Sequence, residues 1–134
     1  MAAKSSYLEN KDLDHNLGKT AFTMPTGLYL ALCTAVPTAA STGSTITEAT
    51  YTGYARKQIA AADLNAAASG SSTTNVAETF AACTAGSSTI IGFALCDAAT
   101  VGNMLYWGTV TSIVISTTAT PATVASGGLV VTEV

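Results

Sequence analysis

Gly27-Leu28-Tyr29-Leu30-Ala31-Leu32-Cys33-Thr34 places Leu28, Leu30 and Leu32 on one side of an extended chain and Tyr29, Ala31 and Cys33 on the other. Apolar side chains on both sides at a period of two mark a strand covered on both faces. The same reading extends along the chain. Residues 35–50, with Pro37, Ser41, Thr42, Gly43 and Ser44, form a loop. Tyr51–Ala60 resumes as a strand, with Tyr54, Arg56 and Gln58 on one face and Ala55, Lys57 and Ile59 on the other. Ala61–Thr74 is rich in Ala, Ser and Gly and reads as a long surface loop. Strands are then expected over 75–82, 88–96, 103–111, 112–117, 121–125 and 129–133. In the second of these, Ile90, Gly92, Ala94 and Cys96 share one side, and Ile91, Phe93 and Leu95 the other. Threonine is the main β-former, with 23 copies, and it suits strand faces that are only half buried. About eight short strands with turn signals between them predict a mainly β fold. The expected architecture is an antiparallel β-sandwich or small barrel, Greek-key or jelly-roll-like, over residues 27–134. No internal repeat is visible, which excludes a long shaft built of repeated units.

Residues 1–26 read differently. They hold nearly half of the charge in a fifth of the chain: Lys4, Glu9, Lys11, Asp12, Asp14 and Lys19 are six of thirteen charged side chains. Ser6-Tyr7-Leu8-Glu9 matches a capping box, with Ser6 as the N-cap. Leu13 and Leu17 lie four apart on one helical face, with Tyr7 toward one side, and Gly18 is a natural stop. A short amphipathic helix over 7–17 is expected. It is too short to stand alone and has to lie on its own domain or on a neighbour. The segment reads as a docking arm. Deleting residues 1–18 is expected to leave a folded body and to abolish docking.

The rest of the chain is almost without charge. Residues 98–132 carry none, and the whole is 10% charged, where ordinary domains are about 25%. Charge keeps a lone domain soluble, so this composition suggests a surface covered by other protein in an assembly. Five basic residues against eight acidic ones leave no footprint for nucleic acid. No secretory leader is seen in Met1–Gly18 and no membrane-spanning stretch elsewhere. Cys33, Cys83 and Cys96 read as small buried thiols suited to a reducing cytoplasm, with a Cys83–Cys96 bridge as the open alternative.

The search for chemistry returns little. His15 is the only histidine and lies in the arm. A triad needs a base beside a nucleophile, a metal site needs clustered ligands, and no phosphate-binding glycine motif occurs. Catalytic, cofactor and metal residues are all expected to be absent. The candidate residues are instead those of protein interfaces: Tyr7, Leu13 and Leu17 in the arm, with Tyr54 and Arg56 in the body. Arg and Tyr are favoured interface anchors, though Arg56 is equally readable as the partner of an internal carboxylate such as Glu48 or Asp97. Asp97 is expected to fix its own turn, and Trp107 to pack at the core rim.

The segments Leu28–Thr38, Tyr51–Lys57, Phe93–Trp107 and Gly127–Thr132, in this order, resemble a family of small tailed-phage virion proteins, often labelled tail-fibre or minor structural proteins. The resemblance covers nearly the whole chain. It implies a β-sandwich body with an N-terminal helical arm and no catalytic residues. The expected function is that of a capsid decoration (cement) protein on the outer shell. Its partners would be the major capsid protein and copies of itself, as a homo-trimer. A tail-tip, baseplate or fibre-adaptor role with tail proteins as partners is the alternative, and a saccharide-binding module is a third.

Overall fold

The computed structural model describes residues 2–133. Its centre is the strand quoted above, which runs over Leu28–Cys33 (β2, after the two-residue β1 at Ala3–Lys4). The remaining strands are β3 (Lys57–Ile59), β4 (Ser71–Thr73), β5 (Glu78–Thr79), β6 (Ser87–Cys96), β7 (Met104–Ser116), β8 (Thr123–Val124) and β9 (Val130–Thr132). Five of them form one antiparallel sheet in the order β1-β7-β6-β2-β3. The expected mainly β, antiparallel fold is thus present, with one α-helix near the N-terminus and no closed barrel among the described residues.

The alternation in β2 does what its spacing requires. Leu30 and Leu32 enter one apolar cluster with Phe93, Leu95 and Ile90, while Ala31 and Cys33 enter another with Ala94, Cys96 and Met104. The first, larger cluster is roofed by a second layer: β4 pairs with β9 and β5 with β8. These two short pairings follow one another as an interrupted antiparallel ribbon, with four residues (74–77) on one side and five (125–129) on the other between them. Gly127 and Gly128 lie in the longer side, and Gly127 has a φ of +74°. Phe80, Leu129 and Tyr51 fill the space between sheet and ribbon. The second cluster is made of small side chains, so the 35–50 loop can lie almost flat on the sheet. A Cβ on Gly92 would sit 3.1 Å from Pro37 and 3.3 Å from the Val36 backbone.

Several expectations need correction. The strand expected over Tyr51–Ala60 is confined to Lys57–Ile59, because Gly53 turns the chain (φ +101°) against Ala82 and Arg56 points into the protein. In β6, Ile90 joins Phe93 and Leu95 and not Ala94 and Cys96. The register shifts between Ile90 and Gly92, where Ile91 alone faces Val110–Ser112 of β7, and at this bulge the side of β6 that faces the core changes. The strands expected over 103–111 and 112–117 are a single one. The loop expected over Ala61–Thr74 holds a 3-10 turn at Ala61–Asp63 and the strand β4.

The helix (α1) spans Ser6–Asn16, one residue earlier than expected. Its N-cap is Ser5, whose Oγ accepts from the Leu8 N–H at 3.2 Å, so the box built on Ser6 and Glu9 is not formed. Ser5 is fully buried, its hydroxyl donates to the Met104 carbonyl, and its N–H donates to the Leu105 carbonyl. At the far end Gly18 (φ +73°) donates to the His15 carbonyl and Lys19 to the Asp14 carbonyl. That is a Schellman ending, as the glycine suggested. Residues 2–8 are built into the body: Ala2 is core, Ala3 and Lys4 pair with Trp107 and Tyr106, and Leu8 is buried. Ser5→Ala removes the cap and orphans a buried carbonyl, and is expected to cost about 1–2 kcal/mol. Ser6→Ala is expected to be nearly neutral. Thermal unfolding of the two variants side by side checks which serine caps the helix.

Candidate functional site

Arg56 is the most connected side chain in the molecule. It leaves the end of the Tyr51–Arg56 turn and reaches across to two loops. Its Nε and Nη2 donate to the Glu48 carboxylate at 2.7–3.2 Å, its Nη1 donates to the carbonyls of Ala98 and Val101 at 2.9 Å each, and its Nη2 also reaches the Gly43 carbonyl at 2.6 Å. A guanidinium has five N–H donors in a fixed fork, and here all are engaged within the chain. The Tyr54 hydroxyl donates to the other side of the same carboxylate at 2.6 Å and accepts the Leu32 N–H at 3.1 Å. Burial pulls the Arg56 pKa down, but the hydrogen bonds and charge of Glu48 outweigh it and the net direction is upward. Burial, then the Glu48 hydrogen bond, pushes the Tyr54 phenol well above its ordinary range. The cluster is a charged brace, not a catalytic constellation. Of the two readings open for Arg56, the structure realises the internal one with Glu48. Neither Arg56 nor Tyr54 has a donor to spare for a partner.

The brace holds a strained turn. Val101 sits at φ +56°, a conformation that a β-branched residue rarely adopts. Its carbonyl is one of those gripped by Arg56. Asp97 closes the base of this turn as expected, accepting the Asn103 N–H and its side-chain Nδ2 at 2.7 Å each. The nearby Cys33 and Cys96 thiols are buried, and that burial pushes Cys33 up to about 12 and Cys96 up to about 11. All three cysteines are free, so the Cys83–Cys96 bridge is not formed.

The arm candidates lie elsewhere. Leu13 and Leu17 share a face, as their spacing required, and that face is exposed: Leu17 is 80% accessible and Leu13 57%. Tyr7 is half-buried beneath the Lys11 ammonium, 5.7 Å from its ring centre. His15 accepts the Phe22 N–H on Nδ1 at 3.1 Å and folds the segment after the helix back on it. Lys4 ties the helix to the last strand by pairing with Asp12 and Glu133. Trp107 gives its indole N–H to the Lys4 carbonyl and packs on the small-residue cluster, as the core-rim reading had it. Two features had no signal in the sequence. Glu78 is a buried carboxylate held by Lys57 at 3.4 Å, with its Oε1 unpartnered among the described residues. The other is an apolar gap between β7 and β8, whose lining includes the exposed Val110 and Ile113.

Among the described residues, no group of three or more His, Cys, Asp or Glu is placed to hold a metal. No helix there is long and apolar enough to cross a membrane. Among the described residues, Leu13, Leu17, Met24, Val101 and Val114 are the most exposed large apolar side chains. A family model described as Podophage GP4 fiber I protein gp80 matches residues 3–132. The chain belongs to this family. The match to the fibre family runs from β1 to β9 and bears out the resemblance to phage virion proteins. Membership makes the chain a phage virion structural protein. No curated protein matches it.

Proposed function

We propose that the chain is a non-enzymatic module of the fibre apparatus of a tailed phage, held in place by copies of itself and by the virion protein it is mounted on. The observation that carries this reading is the fibre-family match over residues 3–132 on a chain with no charge from Ala98 to Thr132. A neutral β-body gains its solubility from being covered. The arm from Glu9 to Thr26, with its exposed Leu13, Leu17 and Met24, supplies docking contacts. The favoured assembly is a homo-trimer, since closed rings bury the same two surfaces on every copy. A second reading is capsid decoration, bridging capsomers on the outer shell. It is favoured by the absence of any repeat from which a shaft could be built.

Copy number separates the two. Mass spectrometry of purified virions, calibrated with labelled peptides from this chain, is expected to find only a few copies per particle. Gold-labelled antibody is expected to sit on the tail. Copies in the hundreds, with label spread over the head, would overturn the fibre reading and establish decoration.

A further inference from the structure

The two β-layers meet along one side, where β7 faces β8 and β9. At one end of that side the gap is filled by the chain's own first strand. Ala3 and Lys4 pair antiparallel with Trp107 and Tyr106, and the Ala2 N–H donates to the Val130 carbonyl. Among the described residues, no strand continues from Ala2 along the gap. Among the described residues, Val110–Ser116 has β6 on one side and no strand on the other. An apolar groove of about 300 Å³ continues there between β7 and Ala122–Ala125. Leu32, Phe80 and Ile90 lie at its base, and Val110, Ile113 and Val124 line it. No charged residue lines it. The usual protections of a sheet edge are charged side chains, proline or a cover. Val110–Ser116 carries no charge and no proline, though it does bulge against β6 between Thr109 and Ile113.

The filled end shows what the open end accepts. From Lys4 to Ala2 the chain runs along β7 from Tyr106 toward Gly108, so an extended segment continuing on that line enters the groove. The protein carries one exposed segment of matching chemistry. Thr20-Ala21-Phe22-Thr23-Met24 has no charge and follows the helix without regular structure, and in an extended form, released from the Phe22–His15 bond, its spacing would put Phe22 and Met24 on one side. Met24 is 83% exposed, more than any other large apolar side chain described. Pro25 has no N–H and ends any pairing there. Neutral segment and neutral groove match each other and repel nothing. A contact in which each copy gives an arm to the next is head-to-tail, and it makes a ring where the rotation between copies closes.

We propose that the groove beside β7 receives Thr20–Met24 of a second copy as an added strand. This rests on the reading above that copies associate, and it names the surfaces through which they do so. The test uses full-length chains carrying either Thr23→Cys or Ser112→Cys, both at exposed positions, while Cys33, Cys83 and Cys96 are buried. Each variant alone, and the two mixed, are treated with a short bis-maleimide under native conditions. The mixture is expected to give at least about fivefold more linked dimer than either variant alone. Adding Phe22→Asp and Met24→Asp to the Thr23→Cys chain is expected to abolish that band. Circular dichroism establishes that the chains stay folded. Dominant linking in Ser112→Cys alone would mean edge-to-edge pairing of two β7 strands and would overturn the proposal. So would the absence of links in a chain that light scattering shows to be monomeric. A tail location with few copies but no links in the mixture would overturn this inference alone and leave the fibre reading standing.

Discussion

Replacing Arg56 by methionine is expected to lower the free energy of unfolding by about 3–5 kcal/mol. The expectation follows from what is left behind. Methionine fills much the same space but donates nothing. Glu48 then keeps its charge beside Tyr54 with no cation to answer it. The carbonyls of Gly43, Ala98 and Val101 lose their donor together. Taking one partner from a buried ion pair costs far more than the pair contributes net, because the other is stranded. Arg56→Lys is expected to restore only part of the loss, since an ammonium cannot span a carboxylate and three carbonyls at fixed angles. Urea denaturation checks both, through a lower midpoint at unchanged slope. A loss below about 1 kcal/mol for Arg56→Met would place the cluster with ordinary surface ion pairs.

Gly43→Ala is expected to be comparably damaging, at about 3 kcal/mol or more. Gly43 has no unusual backbone angle; its need is for space. A Cβ there would lie 1.9 Å from the Val101 carbonyl oxygen and 2.8 Å from that of Gly102. Both obstacles are backbone, and the Gly43 N–H already bonds the Gly102 carbonyl at 3.1 Å. The two loops would have to part, which pulls the Gly43 and Val101 carbonyls off the guanidinium. Gly127 is the contrasting case. It holds φ at +74° with nothing within 4 Å of a built Cβ. Gly127→Ala is expected to cost only the left-handed backbone penalty, about 1 kcal/mol. Measuring both by urea denaturation separates crowding from conformation.

These contacts show where sequence reading succeeds and where it stops. The strands Leu28–Cys33 and Ser87–Cys96 were legible because burial on two faces writes a period of two directly into the residues. Gly18 and Asp97 were legible because helix ends and turns are satisfied within a few residues. Tyr51–Arg56 misled because its alternation was real while its cause was not a sheet. Tyr54 and Arg56 share a side because both reach Glu48, and Arg56 also bonds carbonyls 42 and 45 residues away. No local pattern records such a reach. The phase of β6 was lost at Ile91 for a similar reason, since a register shift is a property of two strands and not of one. The capping serine was misplaced by one residue because Ser5 and Ser6 are equivalent as letters. Only the Met104 carbonyl, 99 residues on, distinguishes them. Of the interface candidates, the Leu13 and Leu17 face was readable from helical spacing, whereas the groove beside β7 exists only once β8 has been laid across from it.

The stitch between the first and last strands has a consequence for biogenesis. Ala2 bonds Val130, and Lys4 pairs with Glu133, so the first strand of the described fold is fastened by its last, and neither is secured until both have been made. Residues 104–116 and 123–132 also supply one side of every layer. A nascent chain therefore exposes Leu30, Leu32, Phe93 and Leu95 until residues 104–132 have been made. The core closes only once β9 is available, in one late and largely non-local step.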